Sequence, residues 1–497
     1  MQKYTREEVA RHAADFWVII NGKVYDLSKF ASLHPGGKRV LEEAAGKDAT
    51  SQFITFHSDN VLVKYDRFCI GYVGDPPSPV SYPETLDATF GSSVPYAEPY
   101  WYREKEASPY YTENHATFRA KVRRWVDSVQ PMVSKWEAQK DYPREMAVKA
   151  YEAGVFGACW PERYGGTPPK GGYDGFMDLV FWDELSRAGG GWLISCFFTL
   201  NIALPPILNW GSEEMKQHVG RECITGQKIM SLAISEPHVG SDVANLQTTA
   251  TRQGDHFILR GEKKFITSGM KADYFTVACR TGGKGMKGVS LLLVERTMPG
   301  ISTRKLSTQG WHAGNTAYII FENVKVPVSN LIGEENKGFL YIMHNFNHER
   351  FVGVAMGLRG SRRMIEESVR YATNRRTFGK RLIDHQVIRH KIAEMVRLVE
   401  STQAWLEQLV FQMETGQMNQ ARLGGTIALL KVHTTKMTEL CAREASQILG
   451  GNSVLKSGPG ENVERFYRDV RIGAIGGGSE EVMTDLAMNQ AFGRPKL

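Results

Sequence analysis

The sequence has few cysteines, and their spacing does not suggest a zinc site or a disulfide framework. Only six cysteines occur in 497 residues, and no two lie within four positions of each other. This scatter excludes the Cys-x-x-Cys spacing of zinc sites, and disulfide frameworks are typical of short, cysteine-dense secreted chains. We therefore expect buried free thiols and a reducing compartment.

The chain also lacks a long apolar run and a concentrated basic surface. No apolar run reaches about 18 residues, so we expect no membrane span. The net charge of +7 is spread widely, because residues 1–75 contain ten basic and ten acidic side chains. No basic run is interleaved with aromatic residues, so nucleic acid is not an expected partner. The mild positive charge still suits an anionic ligand.

The length predicts two to four domains, and the residue pattern divides the chain into five segments. A hairpin with an Asn21-Gly22 turn, followed by a helix over Lys38–Ala45, indicates a small α+β domain. Six prolines between residues 75 and 100 predict a linker. Beyond it, short β-branched runs separate two helical regions. The predicted segments are 1–75 (small α+β domain), 76–105 (Pro-rich linker), 106–230 (helical), 231–330 (β-rich) and 331–497 (helical bundle).

Two histidines in the first segment predict an iron site. His34 opens the sequence His-Pro-Gly-Gly, and His57 follows 23 residues later. Two neutral imidazoles from separate loops can ligate one iron from opposite faces of a porphyrin. Either histidine alone is as well explained by a helix cap or a surface turn. Apolar residues that would line such a slot are Phe30, Leu33, Val40, Phe53 and Phe56.

Residues 4–74 resemble the cytochrome b5-like family through WVIINGKVYDLSKF, HPGG, GKDATSQF and the later HS pair. The resemblance implies haem b with His34 and His57 as its axial ligands. Two protein ligands leave no open coordination position on the iron. We therefore expect this haem to carry electrons and not to activate oxygen.

A second set of motifs, spread over residues 110–490, resembles the acyl-CoA dehydrogenase family. Taken singly, each motif has an ordinary structural explanation; Gly450-Gly451, for example, is typical of a helix C-cap. The resemblance implies a helical N-terminal subdomain, a β middle subdomain and a C-terminal four-helix bundle. It also implies FAD, an acyl-CoA substrate and a homodimer or homotetramer. The electron acceptor would be a flavoprotein, a haem partner or O2. The motifs are AISEPHVGSD, KFITSG, RRTFG, QILGGN and RDVRIGAIGGGSEEVM.

The resemblance assigns cofactor contacts position by position. Phe265 stands where many members have tryptophan, so ring coverage of the flavin is kept but the indole donor is lost. The residues implied to contact FAD are Ser235, Ser241, Phe265, Ile266 and Thr267, then Arg375, Phe378 and Gln386, then Gln447, Leu449, Gly450 and Gly451 from a neighbouring subunit, and Ser479 and Glu480.

The position of the catalytic carboxylate departs from the commonest family pattern. Many members have a tyrosine and then the catalytic glutamate where this chain has Gly476 and Gly477. Long-chain and isovaleryl-type members have glycine there and place the glutamate early in the first long bundle helix. Glu349 occupies that alternative position, so the resemblance implies that it removes the α-proton. A plain acidic residue near a helix N-terminus is the structural alternative. The implied substrate contacts are Ser241, Asn347, Arg350, Gly477 and Gly478.

Two other functions and the location remain open at this point. One alternative is an acyl-CoA oxidase-like activity that passes electrons to O2; the other is a non-catalytic flavoprotein. The segment 195–210 bears on pocket depth, but its sequence does not fix the acyl chain length. Pro495-Lys496-Leu497 resembles a peroxisomal address and predicts a peroxisomal enzyme, with cytoplasm or mitochondrion as the alternatives.

Overall fold

The computed structural model describes residues 2–57, 60–74, 91–103, 108–416 and 420–493. Much of the linker predicted over 76–105, and Pro495-Lys496-Leu497, lie outside the described residues. The chain divides into two compact units. The smaller unit comprises Met1–Glu98, Met364–Glu394 and Arg443–Glu464, and the larger comprises Pro99–Arg363, Met395–Ala442 and Arg465–Leu497.

The N-terminal part of the smaller unit is a four-stranded sheet with short helices. Asn21 and Gly22 have φ angles of 50° and 74°, so the predicted Asn-Gly turn is confirmed as a two-residue hairpin with both residues left-handed. The first strand pairs in parallel with the last strand, and the remaining pairs are antiparallel. The strands are Gln2–Tyr4, Trp17–Ile20, Lys23–Asp26 and Cys69–Val73, and the helices are Arg6–Arg11, Lys38–Ala44, Thr50–Phe56 and Asn60–Lys64.

The N-terminal part of the larger unit is helical, as predicted for 106–230. Its most apolar segment, Gly191–Trp210, has the length and a mean hydropathy of 1.6 that would suit a membrane span, although the sequence pattern led us to expect none. In this structure 78% of that window is buried, which is equally typical of a core helix. The helices are Tyr100–Arg103, Glu113–Gln139, Met146–Glu152, Gly175–Leu185, Gly191–Trp210 (with a π-helical turn at Ile194–Phe198), Glu213–Met215 and Arg221–Ile224.

A buried network of five charged side chains joins three helices of this unit. Arg123 makes a bidentate pair with Glu184, with both N–O distances 2.7 Å. Asp183 accepts from Arg359 at 3.0 Å and from Arg119 at 3.2 Å. Although burial alone would raise the pKa of Glu184, the charges of Arg119 and Arg123 lower it to about 2. The network holds the long helix that contains Arg359 against the helices of the N-terminal part.

The middle part is the predicted β-rich region. Its strands form one sheet around an apolar core that includes Phe257, Phe275 and Phe321. Most pairs are antiparallel, but Met230–Ala233 runs parallel to Tyr274–Arg280. The strands are Met230–Ala233, Thr249–Gln253, His256–Ile266, Tyr274–Arg280, Val289–Glu295, Ile301–Lys305, Ala317–Pro327 and Leu331–Ile332.

The C-terminal part is again helical. The helix Gly338–Asn374, called the base helix below, contains Glu349. It passes close to the helix Gln420–Leu449, because a Cβ on Gly357 would lie 2.8 Å from Thr434 Cγ2. Its early turns contact the segment Gly191–Trp210, where Tyr341 stacks on Trp210 at 4.3 Å between ring centroids. The helices are Gly338–Asn374, Gln386–Glu414, Gln420–Leu449, Glu461–Ile475 and Glu480–Ala491, with a short hairpin of Arg376–Thr377 and Lys380–Arg381 after the first.

Candidate active site

Glu349 lies beside Gly477, which supports the paired prediction for these two positions. A Cβ built on Gly477 would lie 3.7 Å from Glu349 Oε1, although 128 residues separate them in sequence. Among the described residues, the Glu349 carboxylate has no hydrogen-bond partner. Burial raises its pKa to about 7, against the opposing charges of Arg350, Lys431 and His348. A carboxylate of this kind can accept a proton near neutral pH.

Two buried cations lie beside Glu349. Arg350, which follows it on the base helix, donates to the carbonyl of Gly477 at 3.4 Å and to Asn347 Oδ1 at 3.2 Å. Lys431 donates from Nζ to the backbone carbonyls of Ala474 and Gly478. The structure therefore brings together Asn347, Glu349, Arg350 and Gly477, and it adds Lys431, which no sequence motif indicated.

Residues Gly476–Gly478, called the glycine turn below, connect the helices Glu461–Ile475 and Glu480–Ala491. Gly477 and Gly478 have φ angles of 69° and 108°, a region that costs other residues steric strain. A Cβ on Gly478 would also overlap Met483. Within the described part of the chain, the amide N–H of Gly477 has no hydrogen-bond partner, so it is available to a ligand.

His348 is a second charged neighbour of Glu349 that the sequence did not predict. Its Nε2 lies 2.7 Å from Asp178 Oδ2, and Tyr173 donates to the other oxygen of Asp178 at 2.9 Å. Burial alone would lower the pKa of His348, but the charge and hydrogen bond of Asp178 raise it above its ordinary value. The protonated form is thereby favoured next to the base.

The predicted flavin contacts of the middle sheet cluster at one strand end. Lys264 N donates to Ser235 O at 2.9 Å, which places Ser235 next to Phe265. Phe265 has a φ of 63° and is 61% exposed, so a bulky apolar ring is presented outward from a left-handed backbone. Such outliers cluster at functional sites. Thr267 is partly buried next to it, and Ser241 is exposed in the following loop.

Two of the predicted cofactor residues have buried side chains. Ile266 is 2% exposed and packs in the core of the middle sheet, and Leu449 is also 2% exposed. Only their backbones can approach a ligand. Ser479 and Glu480 have structural contacts as well: Ser479 caps the helix Glu480–Ala491, and Glu480 accepts from Thr435 Oγ1 at 2.8 Å.

A buried ion pair holds the loop after Ser235. Lys263 is fully buried and donates to Glu236 Oε1 and to Ile234 O, both at 2.8 Å. Glu236 also accepts from the amides of Gln247 and Thr248. Glu236 belongs to the motif AISEPHVGSD, but its partner Lys263 is not predictable from the sequence, since a lysine in a strand of alternating pattern is ordinarily solvated.

The remaining predicted FAD residues lie in the smaller unit. Phe378 has a φ of 51° at the tip of the hairpin after the base helix, and it is 96% exposed. Arg375 and Gln386 flank that hairpin, so the three lie close along the chain. Gln447, Gly450 and Gly451 are exposed at the end of the helix Gln420–Leu449. Their exposure suits a ligand or a neighbouring subunit.

The two predicted haem ligands face each other in the N-terminal domain. The rings of His34 and His57 have centroids 5.8 Å apart and planes at 82°. Two imidazoles that hold one metal at about 2 Å have ring centres roughly 6 Å apart, so the residues fit one iron. Burial and the nearby His34 lower the pKa of His57, which favours its neutral form. Gly36 N–H donates to His34 Nδ1, so the ring proton of neutral His34 is on Nε2. Ligation of iron through Nε2 requires that this proton move to Nδ1.

The apolar residues around this pair also fit a porphyrin. Leu33, Val40 and Phe56, three large apolar side chains on the segments of the two histidines, are all exposed. Phe53 stacks against His57 at 4.8 Å, and Phe30 lies at 5.9 Å from His34. A flat apolar ligand between the rings would cover these surfaces.

Comparison with known protein families matches nearly the whole chain. Residues 112–227, 231–324 and 336–492 match the N-terminal, middle and C-terminal domains of acyl-CoA dehydrogenases. The acyl-CoA dehydrogenase AFT10-1 of Alternaria alternata is 38% identical over 421 residues, which cover 81% of this chain and 96% of that protein. The chain belongs to the acyl-CoA dehydrogenase family. Residues 5–74 match the cytochrome b5-like haem/steroid binding domain, so this acyl-CoA dehydrogenase has that domain fused at its N-terminal side.

Other relatives and solved structures agree with this assignment. The mitochondrial long-chain specific acyl-CoA dehydrogenase of Sus scrofa is 32% identical over 384 residues, covering 76% of this chain and 86% of that protein. The crystal structure of acyl-CoA dehydrogenase from Geobacillus kaustophilus superposes with a TM-score of 0.72 at 33% identity, covering 78% of this chain and all of that one. Butyryl-CoA dehydrogenase from Megasphaera elsdenii gives the same TM-score and coverage at 27% identity.

The family membership confirms the predicted fold, enzyme class and cofactors. The protein is an oxidoreductase of the acyl-CoA dehydrogenase class, and FAD is the cofactor of that fold. The cytochrome b5-like domain is a haem-binding fold. Members of the family act on acyl-CoA thioesters, use electron-transferring flavoprotein partners and are usually oligomeric.

Proposed function

We propose that this acyl-CoA dehydrogenase uses Glu349 as its catalytic base and that its fused haem domain serves electron transfer. The observation that carries the first part is the approach of the Glu349 carboxylate to Gly477, together with its pKa of about 7. The similarity to a long-chain specific enzyme supports this base position, since the alternative site is a glycine here. Bound FAD supplies the acceptor for the hydride that leaves the β-carbon.

In this proposal, Gly477, Glu349 and Arg350 have separate roles in removal of the α-proton. The Gly477 N–H, which has no partner among the described residues, donates to the thioester oxygen and makes the α-proton more acidic. Glu349 accepts that proton at its carboxylate. Arg350 neutralises part of the local negative charge and holds Asn347 and the Gly477 carbonyl. The base helix contacts Gly191–Trp210 along its early turns, and we propose that the acyl chain lies along this contact.

A titration of the purified protein with acyl-CoA thioesters, followed by visible spectroscopy without oxygen, tests this function. The expected result is loss of the oxidised flavin band with at least one chain length and formation of the 2-enoyl-CoA product. Failure of every straight and branched acyl-CoA in such a panel would exclude the dehydrogenase activity. Oxygen consumption at the full rate of flavin reduction would instead support an oxidase.

The haem domain is proposed to carry electrons because two histidines would occupy both axial positions. Bound haem supplies a one-electron carrier. The expected spectrum of the reduced protein does not change when carbon monoxide is added, because no coordination position is open. A carbon monoxide shift would contradict bis-histidine ligation. If the haem is reduced after anaerobic addition of acyl-CoA, the flavin is its electron donor. If the haem stays oxidised while the flavin is reduced, the haem receives its electrons from another donor.

We also propose that the protein is a homodimer or homotetramer. The support is the group of exposed residues that the family places near a neighbouring subunit's FAD, including Gln447, Gly450 and Gly451. Light scattering of the FAD-loaded protein tests this, and a monomeric holoenzyme would contradict it.

A further inference from the structure

Lys431 is a buried cation whose partners are backbone carbonyls. It lies on the helix Gln420–Leu449 and is 4% exposed. Its Nζ donates to Ala474 O at 2.7 Å and to Gly478 O at 2.6 Å. Among the described residues, no carboxylate lies within salt-bridge distance of this ammonium. Burying an ammonium without an ion pair costs free energy, and burial lowers its pKa to about 8. The residue therefore has to be explained by what its two hydrogen bonds hold.

Those two hydrogen bonds hold both ends of the glycine turn. Ala474 belongs to the last turn of the helix Glu461–Ile475, and Gly478 is the last residue before the cap of the next helix. A single ammonium thus connects the carbonyl before the turn with the carbonyl at its end. Arg350 donates to the carbonyl of Gly477, which lies between Ala474 and Gly478 in sequence. Two cations thereby hold three carbonyls, those of Gly477 and Gly478 in the glycine turn and that of Ala474 in the helix before it.

The peptide group that remains between these anchors is the one with the Gly477 N–H. Gly476 N donates to Ile472 O at 2.9 Å and ends the preceding helix, whereas Gly477 N has no partner within the described residues. Glycine has wide conformational freedom, so a turn of three glycines, two of them with positive φ, does not hold one geometry by itself. The hydrogen bonds to these carbonyls restrict the conformation of the turn.

We propose that Lys431 is a positioning residue that orients the Gly477 amide toward the thioester oxygen, opposite the Glu349 carboxylate. This inference rests on the proposed function, because it presupposes that Glu349 is the base and that the Gly477 amide is the donor. Both hydrogen bonds of Lys431 go to backbone carbonyls, so it is assigned no contact with the substrate or the reacting atoms. Its effect passes through the backbone of the turn, and hydrogen-bond donors of this kind depend on small displacements.

The charge of Lys431 has a second, separable effect on the base. The charged groups around Glu349 are Arg350 and His348 on its own helix and Lys431 on the neighbouring helix, and Glu480 and Glu481 interact in turn with Lys431. Loss of the Lys431 charge raises the pKa of Glu349. Loss of its hydrogen bonds weakens polarisation of the thioester. Lys431→Arg keeps the charge with altered hydrogen-bond geometry, and so separates the two.

The test uses the full-length holoenzyme in four forms: wild type, Lys431→Met, Lys431→Arg and the control Lys436→Met, which removes an exposed lysine from the same helix. The bound probe is a 2-enoyl-CoA labelled with 13C at the thioester carbonyl, and the readout is its carbonyl stretching frequency. We expect the wild type and Lys436→Met to lower this frequency strongly. Lys431→Met should return it toward the value in solution, with FAD content unchanged, and Lys431→Arg should lie between.

Anaerobic flavin reduction by the best acyl-CoA in a chain-length panel gives the second readout. Lys431→Met should lower the limiting rate at least about tenfold with little change in the half-saturating concentration. A wild-type carbonyl frequency in Lys431→Met overturns the inference even if the rate falls. If that variant loses FAD, Lys431→Gln, which retains one donor, is measured by the same criterion. Glu349→Gln serves as the separate check of the base, since wild-type rates there would overturn the proposed function itself.

Discussion

The pKa of Glu349 leads to a prediction about the pH dependence of flavin reduction. The base must be deprotonated, so the rate rises as pH increases through its pKa. With a pKa of about 7, roughly one molecule in ten has the active carboxylate at pH 6, whereas a carboxyl at its ordinary value would be almost fully ionised. The limiting rate of flavin reduction should therefore fall about tenfold from pH 8 to pH 6.

The assay is anaerobic stopped-flow reduction of the bound flavin at saturating acyl-CoA over pH 5.5–9, conditions that remove substrate binding from the limiting rate. Glu349→Gln keeps the shape of the side chain but cannot accept the proton, so its rate should be at least about a hundredfold lower. Glu334→Gln, which changes an exposed carboxyl just before the base helix, should match wild type. A flat wild-type profile between pH 6 and pH 8, or a fast Glu349→Gln, would refute this reasoning.

An exchange of the base between the two positions extends the same argument. Because a Cβ on Gly477 would lie 3.7 Å from Glu349 Oε1, a glutamate at 477 can bring its carboxylate to nearly the same place. The combination Glu349→Gly with Gly477→Glu should therefore recover part of the activity lost in Glu349→Gly. The φ of 69° at Gly477 costs a glutamate roughly 1–2 kcal/mol, so recovery should be incomplete. No recovery, with FAD and acyl-CoA still bound, would show that the two positions do not serve one α-carbon.

Three further variants test the supporting structure. His34→Ala should abolish the haem Soret band while FAD content stays unchanged, because the flavin residues lie in other parts of the chain; retained haem would reject His34 as a ligand. Arg123→Met should lower the apparent free energy of unfolding by about 2 kcal/mol in urea, because Glu184 loses its bidentate partner and keeps Arg119 as its nearest cation, whereas the exposed Arg124→Met should have little effect. Lys263→Met should weaken FAD retention on gel filtration, since the loop of Ser235 loses the ion pair with Glu236; full retention would show that this pair is dispensable.

The parts of the fold that were predicted correctly depend on local patterns. The Asn21-Gly22 turn needs two left-handed residues, and those residue types tolerate that conformation, so the hairpin follows from four or five neighbouring positions. The strands of the middle sheet follow from β-branched runs between turns. The prediction for Glu349, which stays a prediction, has a different origin: its neighbours match a family motif, and Gly477 occupies the position where many members have the catalytic glutamate.

The residues that were missed are polar groups whose partners lie far away in sequence. Lys431 contacts carbonyls 43 and 47 residues further along the chain, and Arg123 pairs with Glu184 at a separation of 61. A lysine or arginine in a helical pattern is ordinarily assigned to the solvated face. Only the packing of the helices shows that these cations are buried. Because water does not solvate them there, they must bind protein oxygens, and this gives them a structural role.

The base position and the glycine turn depend on each other physically. In the proposed mechanism, the Glu349 carboxylate acts from the side where the common family arrangement places its glutamate, and a Cβ on Gly477 would lie 3.7 Å from it, so position 477 must leave that space open. Glycine does so, but it also removes the side chain that would otherwise help to fix the turn. The two cations, Lys431 and Arg350, replace that constraint through the backbone carbonyls. Their positive charge also keeps the pKa of the buried Glu349 from rising further. With Glu349 as the proposed base, this chain requires a rigidly held glycine turn, and we infer that the buried charges of Lys431 and Arg350 supply that rigidity.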